Sequence, residues 1–152
     1  MRGVQHPIRL VEQDLVDLET TQVDRLGTSV RVTSIERTLV DMLDRQELSG
    51  GIEEIWRNAQ QLGWLDDRRV LSYVHARRSA VLAARVGYLL EQLPELRVPT
   101  EALAELRDIA TTLSPGPFDF APHERGDHQY LHAWRLRVPV RVFERAWEEP
   151  FT

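Results

Sequence analysis

A helix cannot be carried through Ser114-Pro115-Gly116-Pro117, because each proline removes an amide donor and clashes with the preceding turn. This break separates a helical stretch from a strand-like one. Upstream, residues about 33–113 keep an apolar period near that of a helix. Downstream, Phe118 and Phe120 are spaced by two, and a polar loop runs from Pro122 to Asp127. Then Trp134, Leu136, Val138, Val140 and Val142 alternate with Arg135, Arg137, Pro139 and Arg141. That run predicts a strand over 134–142 with one apolar face and one arginine face, and Pro139 predicts an edge position or a neighbouring bulge. Near the other end Ile8 and Leu10 flank Arg9, and Val30 and Val32 flank Arg31 just after Gly27, as in short strands. The reading is an α+β fold over residues 1–152. Strands at about 5–32 and 117–143 share one small terminal sheet, packed with a central bundle of four to five helices.

The first helix opens at Thr33-Ser34-Ile35-Glu36, which has capping-box spacing: a Thr33 hydroxyl for the amide three residues on, and Glu36 reaching back. Ile35, Leu39, Met42 and Leu43 fall on its buried face, and Ser49-Gly50-Gly51 ends it. Ile52, Ile55, Trp56, Ala59 and Leu62 mark a second helix. A third begins at Leu65-Asp66-Asp67, a fourth near Ser79 runs to Pro94, and a fifth follows Pro99 with Leu103, Leu106, Ile109, Ala110 and Leu113 inward.

Composition removes whole classes of chemistry. With no cysteine, disulfides, cysteine zinc sites and thiol nucleophiles are excluded. The 19 basic residues are all arginine, so Schiff-base, P-loop and kinase-type lysines are excluded too. A net charge of −5 argues against wholesale wrapping by nucleic acid. Apolar runs fall short of the ~18 residues of a membrane span, and Met1 to Pro7 lacks the apolar stretch of a signal peptide, which predicts a cytoplasmic protein without membrane contact.

The run Val32-Thr33-Ser34-Ile35-Glu36-Arg37-Thr38-Leu39-Val40-Asp41, then Ser49-Gly50-Gly51, then Arg85-Val86-Gly87-Tyr88-Leu89-Leu90-Glu91, resembles the C-terminal domain of the AbiEi antitoxins. That family belongs to the type IV toxin–antitoxin systems of bacterial phage defence (abortive infection). The closing Trp134-Arg135-Leu136-Arg137-Val138 is similar to the family's last strand, although this chain runs Val138-Pro139 where relatives often carry asparagine. The resemblance implies a non-enzymatic antitoxin that counters a nucleotidyltransferase-like toxin, without a cofactor. Family members normally add an N-terminal winged helix-turn-helix that represses their operon. The residues before Val30 are too few for its helices, so the expectation is a chain without that domain.

Candidate contact residues follow. Glu36, Arg37 and Asp41 are the charged members of the resembling run; a cap and an i, i+4 ion pair account for them, and partner contact is the other reading. Arg135, Arg137 and Arg141 on one strand face, with Arg68, Arg69, Arg77, Arg78 and Arg85 on the central helices, would form a basic patch if they converged. Such a patch would suit RNA or an acidic toxin surface, the alternative function being a transcriptional regulator or nucleic-acid-binding module. His128 and His132, with His123, Glu124 and Asp127 nearby, have i, i+4 spacing but sit in a strand context, so no metal site is expected. Asp66-Asp67 suits a helix start and Glu148-Glu149 an exposed terminus, so neither pair predicts acid–base catalysis. No catalytic residue is assigned.

Overall fold

Capping side chains set where the helices begin. In the computed structural model, whose described residues are 18–148, the Ser34 hydroxyl accepts from the Arg37 amide, Asp66 from the amides of Arg68 and Arg69, and Ser79 from that of Leu82. These caps open α1 (Ile35–Asp44), α3 (Asp67–Arg77) and α4 (Ala80–Gln92). Between and after them lie α2 (Ile52–Gln60) and α5 (Thr100–Leu113), the latter ending at Ser114 as the proline-rich break requires. The cap of α1 is Ser34, one residue later than the capping-box reading. Thr33 is still extended, paired with Thr20 across a hairpin, and its hydroxyl meets that of Thr38 at 2.8 Å.

That hairpin joins β1 (Thr20–Arg25) to β2 (Thr28–Thr33) through Leu26 and Gly27. Both turn residues have positive φ, 53° and 83°, as a tight turn matching the strand twist requires. The C-terminal strands are β3 (Phe118–Asp119), β4 (His128–Leu131) and β5 (Leu136–Pro139), followed by a one-turn helix α6 (Val140–Phe143). The α+β class and the helical middle are as expected, but the terminal strands do not share one sheet. β1 and β2 pair with each other, and β3-β5-β4 form a second sheet in which β5 runs parallel to β3 and antiparallel to β4. The expected Ile8–Leu10 strand lies outside the described residues.

The alternating run over 134–142 is a strand only from Leu136 to Pro139. From Val140 the chain makes one helical turn instead, which buries Val142 and leaves Arg141 and Phe143 exposed. Pro139 is the last residue of the central strand, opposite His128, and not an edge residue, and the next amide, that of Val140, donates to the Asp127 carbonyl at 2.8 Å.

α4 is apolar on nearly every side and forms the centre of the core, with Leu82, Val86, Leu89 and Leu90 almost fully buried. Its Gly87 faces the ring of Trp134; a Cβ there would overlap the ring carbons. The Trp134 indole N–H donates to Glu91 at 3.2 Å, and the Arg107 guanidinium lies 4.7 Å from the ring centre. Trp56, Tyr88 and Phe120 meet edge to face, with centroids 5.0–6.3 Å apart. Among the described residues no helix is long and apolar enough to cross a membrane.

Two outcomes follow. Gly87→Ala forces Trp134 out of its seat and should cost about 3 kcal/mol in urea unfolding, the upper end for overpacking. Burial pushes the Tyr88 phenol up to about 12. The folded state therefore holds that proton more tightly than the unfolded chain, whose tyrosine titrates near ~10. The stability so contributed is full below pH ~10 and is lost as pH climbs through the folded value. Melts between pH 9 and 12 should fall more steeply for the parent than for Tyr88→Phe.

Candidate interaction site at the foot of the hairpin

The run from Ser34 to Asp41 fills the first two turns of α1 and splits by face. Leu39 and Val40 enter the core, while Glu36, Arg37 and Asp41 join α1 to its neighbours. Glu36 is only 7 % exposed, and its Oε2 accepts from the Asp66 backbone amide at 3.2 Å. The reaching-back role expected of Glu36 is therefore replaced by another. With Ser34 as cap, Glu36 is the second helical residue, too early to return to the cap amide. It binds the start of α3 instead, where a carboxylate is favoured by the helix dipole.

Arg37 pairs with Asp41 as its i, i+4 spacing predicts, Nε to Oδ2 at 3.3 Å. Its Nη1 also donates to the Leu18 carbonyl at 2.8 Å. From α3, Tyr73 donates its hydroxyl to Asp41 Oδ1 at 2.5 Å, and Arg77 reaches Asp41 at 3.1 Å and Asp44 at 2.5 Å. The two guanidiniums lie 5.1 and 5.8 Å from the Tyr73 ring centre. Burial, and next the bond to the Asp41 carboxylate, raise the pKa of the Tyr73 phenol, so it stays a donor at neutral pH. Tyr73 and Asp44 escaped the sequence reading. Their signal was the i, i+4 step from Tyr73 to Arg77 and the i, i+3 step from Asp41 to Asp44, which put each pair on one helix face.

This network holds the foot of the hairpin. The Ser34 amide donates to the Glu19 carbonyl at 2.7 Å, Arg37 holds Leu18, and Arg69 stands between the Glu19 and Asp66 carboxylates at 3.9 and 3.6 Å. Beyond the foot, every hairpin residue from Thr21 to Thr33 is exposed. Val23 and Val30 face each other across the strands on the side that also carries Thr21 and Val32, and Leu26 at the tip is fully exposed.

The other arginines do not converge. Arg135 precedes β5 in a left-handed turn and donates to the Ser114 carbonyl at 3.4 Å; Arg137 lies on β5 and forks onto Asp119 at 2.9 and 3.2 Å; Arg141 belongs to α6 and reaches Glu53 and Glu124 at 2.5 and 3.4 Å. The expected arginine strand face is thus divided among a turn, a strand and a helix, because the strand ends at Pro139. Arg85 turns inward, with Nε on the Asp119 carbonyl at 2.9 Å and Nη1 on that of Leu43 at 3.1 Å, and burial lowers its pKa. Arg78 is exposed just past the end of α3.

The histidines are also dispersed: His123 lies beside Glu47 at 3.3 Å, His128 opens β4, and His132 meets Tyr130 edge to face. Among the described residues no three His, Asp or Glu side chains come together to hold a metal ion. Asp66 caps α3 as expected; Glu148 accepts from Gln60 at 2.9 Å, and Glu149 lies outside the described residues.

Ser34→Ala should cost about 1 kcal/mol and Thr33→Ala clearly less. Glu36→Ala, which strands the Asp66 amide, should cost ~1–3 kcal/mol. Chemical denaturation of the three variants checks the order, and a larger loss at Thr33 than at Ser34 would contradict the cap assignment. Compared with known proteins, the chain matches no family model, no curated protein and no solved structure.

Proposed function

We propose that this chain is a non-enzymatic antitoxin-like protein of a type IV toxin–antitoxin system, which counters a nucleotidyltransferase-like toxin through its surface and needs no cofactor. The supporting observation is the place of the resembling run in the fold. Arg37 and Asp41 belong to one side-chain network that holds Leu18 at the foot of an exposed hairpin, and Glu36 ties the same end of α1 to the start of α3. Here the core work falls to Leu39, Val40 and Leu43, while the charged members bind Leu18, Asp66 and Tyr73. The motif thereby sets how the hairpin is presented, and the hairpin offers an apolar strip of Val23, Val30 and Val32 ending in Leu26. Recognition by shape and apolar contact suits this surface better than an arginine patch, because Arg137 and Arg141 already face Asp119, Glu53 and Glu124.

The test is growth rescue: the chain is co-expressed with the nucleotidyltransferase-like toxin encoded beside it, and soluble levels of both are measured. Rescue by the parent chain is expected. Arg37→Ala and the tip variant Leu26→Asp should each lower plating efficiency clearly below that of the parent at equal soluble levels. No rescue by soluble parent protein would sink the proposal. Full rescue by soluble Leu26→Asp would remove the hairpin tip from it.

A further inference from the structure

A cleft of about 530 Å³ opens between the end of α3 and the last turns of α5, away from the network just described. Its size lies within the ~300–1,000 Å³ of small-molecule sites. α5 lines it with two parallel i, i+4 rows: Ile109 and Leu113 form an apolar row, and Asp108 and Thr112 a polar one. One wall is closed by His75 Nε2 and Glu105 Oε1, 2.8 Å apart. Beside that pair the cleft is lined by the guanidinium of Arg78 and the carboxylate of Asp108. Neither side chain has a hydrogen-bond or ion-pair partner among the described residues.

Arg78 is unusual in a second respect. It takes a left-handed backbone conformation, φ 49°, where glycine or asparagine is less strained. Arg135 and Arg145 share that conformation, but their side chains bond Ser114 and Gln92. Arg97 shares it too and does not line the cleft. At Arg78 the side chain instead lines the cleft without a partner, beside Ile109 and Leu113.

We propose that this cleft binds a small zwitterion with an apolar body, of the kind and size of a free aliphatic or aromatic α-amino acid. The guanidinium fork takes the carboxylate, Asp108 takes the ammonium, and the side chain lies on Ile109 and Leu113. A simple anion would face Asp108 and a simple cation would face Arg78, so only a ligand with both charges meets both walls favourably. This inference is independent of the antitoxin reading.

The test is a titration of the full chain, followed by amide resonances, with L-leucine and L-phenylalanine beside N-acetyl-L-leucine, which lacks the ammonium, and L-leucinamide, which lacks the carboxylate. Shifts confined to residues 75–78 and 105–113 are expected for the free amino acids. Each blocked analogue should bind at least about tenfold more weakly. Arg78→Gly relieves the left-handed backbone, so the unliganded variant should melt no lower than the parent and yet lose leucine binding by about tenfold or more; Asp108→Asn should lose it likewise. Three results would overturn the proposal: no localised shift with either amino acid at ~10 mM, an equal response to a blocked analogue, or unchanged binding in Arg78→Gly.

Discussion

The C-terminal sheet stays on the helices because Trp134 has a flat place to sit. Gly87 leaves α4 without a side chain at that point, the indole ring lies against bare backbone, and its N–H finds Glu91 one turn further along. A buried tryptophan needs both an apolar wall and an acceptor, and residues 87 and 91 provide them at helical spacing. Once Trp134 is seated, Leu136 and Val138 follow it into the core, and β5 becomes the strand to which β3 and β4 are added. Arg85 from α4 and Gln46 from just past the end of α1 reinforce the same joint where α1 ends. Both donate to the Leu43 carbonyl at the end of that helix, Arg85 also to Asp119 and Gln46 to Phe120, so a helix terminus and a strand exit share one set of bonds.

A chain whose only permanently charged cation is arginine makes contacts of a particular kind. The planar fork can hold a carbonyl on one side and a carboxylate on the other, as Arg37 does with Leu18 and Asp41. It can also lie over an aromatic face while doing so, as Arg37 and Arg77 do at Tyr73 and Arg107 at Trp134. An ammonium in place of Arg37 would keep the charge and lose the simultaneous reach to both partners.

Much of the helical part was legible in the sequence, since Asp66, Ser79, Pro94 and the Ser114–Pro117 break are local signals with local causes, whereas the cap of α1 is Ser34 and not Thr33, because Thr33 is held in the hairpin ladder. The strands were harder. Alternation at 134–142 says that apolar residues occur every second position, and it cannot tell a strand from a strand that turns into one helical turn. Nor can periodicity say which strands pair, which is why two separate sheets were read as one. At the site, the pairing of Arg37 with Asp41 was legible because both lie on one helix. The bonds from Glu36 to Asp66 and from Asp41 to Tyr73 cross about thirty residues of chain, and no local rule reports them.

The hairpin behaves as a lever. Six residues of extended strand carry Leu26 roughly 20 Å from the point where Arg37 and the Ser34 amide hold Leu18 and Glu19. A rotation of ~10° at that foot displaces the tip by roughly 3.5 Å, about one carbon–carbon contact distance. The angular precision of the two foot bonds is therefore multiplied along the strands, so a small tilt at Arg37 becomes a displacement of atomic size at Leu26.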